Sequence, residues 1–259
     1  MKGLVIVAVL AAGAVPAGAA GKFAWPEGRQ AAIVLTYDDA IVASDLNVAG
    51  PQLDRAGLKG TFFLSGKDVR AADVPRWRAL AAAGHELGNH TVNHPCARGT
   101  YEMPAQYNTE SYSLEVLFTE VGVMNALLTA LDGKTTHAFA TPCGHTRLGD
   151  GHDYTLPLKA SGLVSSIRDA PWPPGAPEHP KLVGTGFVGT SGAEMIAWVK
   201  QVEAAGGVGV VVFHGVGGDY LSVTAEAHQQ LLDYLAANGK TVWTAPYSEV
   251  MRYVEEQSR

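Results

Sequence analysis

The feature that most constrains this chain is a regular alternation of short apolar runs with stretches of helical periodicity. Val208–Phe213 is apolar throughout, as a strand buried on both faces of a parallel sheet must be. Residues 33–37, 60–64, 86–90, 138–140 and 241–243 read as further strands, with 163–167 and 181–183 as weaker runs. Between them lie helical stretches. One covers 46–56 and is closed by Gly57; another covers 74–83 and ends at Gly84. A long one covers 113–131, where Leu114, Leu117, Val121, Met124, Leu127 and Leu128 share a face. Gly192–Ala205, Ala225–Ala237 and 247–254 complete the set. About seven such units, with no repeat and no linker, predict a single α/β domain built as a barrel of parallel strands.

The polar, chemically active residues stand at the carboxyl ends of the apolar runs: Asp38 and Asp39, His90, the 142–145 turn, and His214. On a β/α barrel that end is where active sites are built. The loops 95–106 and 170–180 are rich in turn-forming residues, and the first is expected to line the site.

The amino terminus reads as an export signal. Met1-Lys2-Gly3 precedes an apolar core and the small residues Ala17-Gly18-Ala19. This predicts a signal peptide over 1–19, a mature domain over 20–259, and a periplasmic or extracellular location. The apolar core is short of a comfortable span, and no later segment reads as long and apolar enough to cross a membrane, so no stable insertion is expected after cleavage. The formal net charge is -6, without a Lys/Arg block, so nothing favours a nucleic-acid partner and none is expected. Cys96 and Cys143 are the two cysteines. In an exported chain they could form one disulfide, or remain two buried thiols. Oligomeric state is not legible.

Asp39, His90 and His94 offer one carboxylate and two imidazoles, a three-ligand set of the kind that holds catalytic zinc with positions left open. The four-residue spacing of the histidines predicts two rings on one face of a helical turn. Asp39 alone could equally be a helix cap. Asp38 is then free to handle a proton, and the combination suggests metal-assisted hydrolysis.

Thr36-Tyr37-Asp38-Asp39, His90-Thr91-Val92-Asn93-His94, Pro142-Cys143-Gly144 and Phe213-His214-Gly215 occur in that order. The chain resembles the polysaccharide deacetylase family (NodB homology domain, carbohydrate esterase family 4) over residues 31–254. The resemblance implies a distorted (β/α) barrel that hydrolyses acetyl groups on an oligo- or polysaccharide. It implies Asp39, His90 and His94 as ligands of one divalent ion, zinc or else cobalt or nickel. It implies Asp38 as general base and His214 as the acid that protonates the leaving group. The Cys143 amide, beside Pro142, would help hold the oxyanion; Trp172 could wall the acetyl methyl, stack on a sugar, or be an ordinary packing residue.

Two departures stand out. The family's base-orienting arginine falls at Ala140 here, leaving Arg147, Arg168 or Lys67 as substitutes. The family's aspartate that tunes the catalytic histidine has a degenerate counterpart in Arg168-Asp169-Ala170-Pro171-Trp172. The expected reaction is removal of an N-acetyl group from a glucosamine-containing glycan. An acetyl-xylan-type O-acetyl esterase and a non-catalytic glycan-binding barrel are the alternatives.

Overall fold

A computed structural model of the chain describes residues 23–168 and 179–258. The expected signal peptide, Asp169 and Trp172 lie outside the described residues.

The parallel barrel is present. Eight strands are found among the described residues: β1 (Ala31–Asp38), β2 (Thr61–Leu64), β3 (Glu86–Asn89), β4 (Phe139–Ala140), β5 (Ile167–Arg168), β6 (Leu182–Gly186), β7 (Val208–Phe213) and β8 (Val242–Thr244). Their order is β5-β4-β3-β2-β1-β7-β6, all pairs parallel, forming a curled and incomplete barrel. The distortion sits at β1. Its start pairs with β8, Ala31 opposite Val242, while its end on that same side pairs with β2, Thr36 opposite Thr61. The short β8 thus wedges into the base of the β1–β2 seam.

The helices are α1 (Val42–Ser44), α2 (Gly50–Ala56), α3 (Val74–Ala82), α4 (Leu114–Asp132), α5 (Thr155–Ala160), α6 (Gly192–Ala205), α7 (Ala225–Ala237) and α8 (Tyr247–Gln257). Two expectations need correction, and one helix was missed. The helix expected over 46–56 is present but starts earlier, at Val42, and widens to a π turn over Asp45–Ala49 before α2. Helix α5 carries no long periodic pattern and was not legible. Helix α4 is, by length and composition, apolar enough to cross a membrane, contrary to the reading that no later segment is. Here it buries Leu117, Val121, Met124, Leu128 and Leu131.

Alternation along β1 divides the core in two. Ile33, Leu35 and Tyr37 pack outward with Leu53, Phe62, Leu231 and Leu235. Ala32 and Val34 face inward with Phe63, Val208, Val210 and, from α8, Val250 and Val254. Helix α8 therefore plugs the base of the barrel. Its start is tied there: Tyr247 N–H donates to Thr61 Oγ1 at 2.8 Å, and Ser248 N–H to Glu86 Oε2 at 3.0 Å. The inward row of β1 continues upward as Thr36 and Asp38, so the same periodicity that fills the base delivers a carboxylate to the open end.

Candidate active site

Adjacent residues of a strand point to opposite faces, so Asp38 and Asp39 could not share a cleft while β1 continued. The chain leaves the strand at Asp39, whose φ is 76°, followed by Ala40 at 58°. Aspartate tolerates this left-handed conformation better than most residues. The turn brings Asp39 back beside Asp38, and its N–H donates to Phe63 O at 3.0 Å.

The two histidines do not share a helical turn. Residues 90–94 form an irregular loop, with Thr91 at φ 64° and His94 at φ 54°. Hydrogen bonds hold it instead. Thr91 N–H donates to Asn89 Oδ1 at 2.8 Å, and His94 N–H to Thr91 Oγ1 at 2.9 Å. Glu120 of α4 accepts from the N–H groups of Val92 and Asn93 at 3.2 and 3.0 Å, and from Asn93 Nδ2 at 2.6 Å. Glu120 lies on a helix face and carries no motif, which is why the sequence did not reveal it.

Both imidazoles turn Nε2 to the same point. His90 Nδ1 lies 2.9 Å from Ala140 O, which fixes the proton on that nitrogen. His94 Nδ1 lies 3.1 Å from the Tyr101 hydroxyl, which in turn donates to His94 O at 3.2 Å. That leaves Nε2 bare on each ring. Asp39 Oδ1 lies 3.1 Å from His94 Nε2 and 3.5 Å from His90 Nε2, is buried, and makes no hydrogen bond. Ligand atoms about 3.4 Å apart are what tetrahedral bonds of about 2.1 Å require. The orphaned oxygen and two bare nitrogens fit a divalent cation, and the donor set suits zinc, cobalt or nickel.

Asp38 has a charged partner after all. Arg168 Nη1 donates to Asp38 Oδ1 at 2.7 Å, and Nη2 to Oδ2 at 2.5 Å. Nη1 also donates to Thr36 Oγ1 at 2.8 Å. Of the three candidate cations, Arg147 instead bonds Gly151 O and Lys67 pairs with Asp68. The register explains the choice: Ala140 and Arg168 are Cα partners on neighbouring strands. The guanidinium sits 4.8 Å above the Phe63 ring. Phe63 in turn needs Gly88, since a Cβ there would lie 2.4 Å from its ring.

Electrostatics follow from this packing. Burial raises the Asp38 pKa, but Arg168 and then His90 outweigh it and hold the carboxyl below its ordinary range. Burial likewise opposes ionisation of Asp39, yet His94, His90 and Tyr220 keep it well below that range. Burial pushes His90 down to about 4, against the pull of Asp38. Both carboxylates are therefore anionic and His90 neutral near pH 7.

His214 follows β7 and faces the pair from across the cleft, its Nε2 3.8 Å from Asp39 Oδ2. Cys143 lines the cleft, while Pro142 is buried beneath it. Cys143 and Cys96 form a disulfide, so the sulfurs beside His94 offer no thiolate. His145 is not free for substrate at Nδ1, which accepts from Ala97 N–H at 2.9 Å. Lys67, Tyr101, Tyr220 and Leu221 complete a cleft of about 740 Å³. The two tyrosines were missed in the sequence, because each lies in a loop with no fixed spacing to its partner.

A family model described as polysaccharide deacetylase matches residues 26–149. Over residues 26–149 the chain thus matches the polysaccharide deacetylase family, and the motifs beyond that segment extend the likeness. Two solved structures show the same fold. One is a candidate polysaccharide deacetylase of Mycobacterium smegmatis, with TM-score 0.63, 18% identity, and 90% and 93% of the two chains covered. The other is the catalytic domain of a peptidoglycan N-acetylglucosamine deacetylase of Eubacterium rectale ATCC 33656, with TM-score 0.57, 20% identity, and 90% and 96% covered. Among curated proteins, a gellan lyase of Bacillus sp is 27% identical over 146 residues, 56% of this chain. The chain spans 5% of that relative's length.

Proposed function

We propose that this chain is an exported, metal-dependent deacetylase that hydrolyses the N-acetyl amide of a glucosamine-containing glycan. The observation that carries the reading is the convergence of Asp39 Oδ1, His90 Nε2 and His94 Nε2 beside an Asp38 gripped at both oxygens by Arg168. Asp39, His90 and His94 would hold the ion, zinc by donor type and cobalt or nickel as substitutes. When bound, it supplies Lewis acidity to water and to the acetyl carbonyl.

The chain's own groups supply the rest. Asp38, anionic and fixed in orientation, takes a proton from the attacking water. The Cys143 amide, on the cleft wall, would donate to the oxyanion of the tetrahedral intermediate. His214 donates a proton to the departing nitrogen, and acetate and a free amine leave. An amide needs that protonation more than an ester does, so the presence of His214 on the cleft favours N-acetyl over O-acetyl substrates. The Cys96–Cys143 disulfide supports export, since such bonds persist in oxidising compartments.

Acetate release tests the reading. The zinc-loaded protein is offered N-acetylglucosamine oligomers and acetylated xylan oligomers, with a chelated control. Chelator-sensitive release from the first substrate is expected. Preferred release from xylan would replace the amide reading with the ester one. No release from either, with metal bound and glycan retained, would favour a binding barrel.

A further inference from the structure

The loop after His214 delivers a side chain that the reaction above leaves without a task. Residues 215–223 fold back on themselves. Gly215 N–H donates to Tyr220 O at 3.2 Å, Val223 N–H to Gly215 O at 3.0 Å, and Gly217 N–H to Val223 O at 2.9 Å. Ser44 pins the root of the loop, donating to His214 O at 3.0 Å and accepting from Val216 N–H at 2.8 Å. Gly215 has no room for a side chain, because a Cβ would lie 2.2 Å from Gly218 O.

Asp219 and Leu221 adopt φ of 72° and 46°, a region that non-glycine residues seldom occupy. Strain of this kind survives only where the surroundings enforce it, and it clusters at functional sites. Between the two lies Tyr220, with its ring 5.6 Å from His214. Its hydroxyl donates a short hydrogen bond to Asp39 Oδ2. The other oxygen of that carboxylate, Oδ1, is the one facing His90 and His94. The two oxygens of Asp39 thus have separate partners.

We infer that Tyr220 is a positioning residue that restricts Asp39 to one-oxygen ligation of the cation. The inference rests on the metal-site reading above. Its hydroxyl occupies Oδ2 and stops the carboxylate from rotating to chelate with both oxygens. The rest of the ion's shell stays open to water and to the acetyl group. Hydrogen bonds to the outer atoms of metal ligands commonly set both affinity and ligand orientation. Glycines 217 and 218, the left-handed Asp219 and Leu221, and the side-chain-free Gly215 are the local conditions for placing this one hydroxyl.

The test uses Tyr220→Phe, which keeps the ring and the loop, with cobalt(II) as probe. Metal-free wild type and variant are titrated with cobalt against a chromophoric chelator. The visible absorption of bound cobalt and the melting temperature of the metal-free proteins are recorded alongside. Tyr220→Phe is expected to lose about 10- to 100-fold in cobalt affinity. Its visible band should weaken as the second oxygen raises the coordination number, and its metal-free melting temperature should be unchanged. Gly215→Ala, which displaces the loop, should reproduce the affinity loss. Equal affinity with an unaltered spectrum overturns the inference, whatever happens to activity. A lower metal-free melting temperature with no spectral change also overturns it, by assigning the hydroxyl to the fold. Failure of the wild type to take up cobalt would instead overturn the metal-site reading, and this inference with it.

Discussion

The two halves of the barrel build the cleft in different ways. In the amino-terminal half, Asp38, Asp39, His90 and His94 lie at or just past the ends of β1 and β3 in two short contiguous motifs. In the carboxyl-terminal half the parts are dispersed: Ala140 is silent, Arg168 acts from the next strand, and Tyr220 reaches in from a strained loop. The matched family segment, 26–149, stops before Arg168, His214 and Tyr220. Groups that are to hold a cation together would need fixed mutual geometry, which short motifs braced by hydrogen bonds supply. A counter-ion for a buried carboxylate needs only to reach the right point, and any strand facing that point can provide it.

The sharpest way to break this comparison is at Asp38. Asp38→Asn should lower turnover by about 10²- to 10⁴-fold, the usual worth of a general base, while cobalt titration still shows one bound ion. Retained turnover would remove Asp38 from the chemistry.

Arg168 comes next. Arg168→Met leaves Asp38 buried and unpaired, a change worth about 3–5 kcal/mol in denaturant unfolding. It also removes the charge that lowers the Asp38 pKa, so the base protonates more readily. The acid limb of the kcat/KM profile should therefore move to higher pH. Because Ala140 and Arg168 are register partners, the double variant Ala140→Arg/Arg168→Ala should recover part of the lost activity. No recovery would show that β5, and not merely the point in space, is required.

A smaller effect is expected at Tyr101. Tyr101→Phe leaves His94 Nδ1 only the weak Cys96 Sγ contact at 3.5 Å and should weaken cobalt binding by about tenfold, the low end for such outer partners.

His228 sharpens the comparison from outside the cleft. It is buried between Tyr37 and Gln52, and burial pushes its pKa down to about 3. The unfolded chain takes up a proton near pH 6.5 that the native state refuses, so this contribution to stability is complete above about pH 6.5. It is lost as pH falls toward 3, at about 1.4 kcal/mol per pH unit. His228→Asn should flatten the fall in unfolding free energy between pH 7 and 4.5, with cobalt affinity unchanged.

Much of this molecule was legible in advance. The apolar runs and helical periods gave most elements to within a few residues, since burial on both sheet faces leaves a plain compositional mark. Asp38, Asp39, His90, His94 and His214 were legible because each terminates or closely follows a strand whose end must face the cleft. The helical turn expected for the histidines was wrong, since Thr91 and His94 take left-handed conformations that spacing does not reveal. The widening at Asp45–Ala49 was hidden for a similar reason: a π turn leaves the helical pattern of residue types nearly intact.

The sequence by itself determined an α/β barrel, its likeness to the polysaccharide deacetylases, and which residue types meet at its carboxyl end, because strand alternation and local motifs are short-range properties. Only the tertiary structure decided that Arg168 replaces the missing arginine, that Glu120 suspends the histidine loop, that Cys96 and Cys143 are joined, and that Tyr220 reaches Asp39. These contacts join residues far apart along the chain, or in loops of no fixed period. Register and packing settle them.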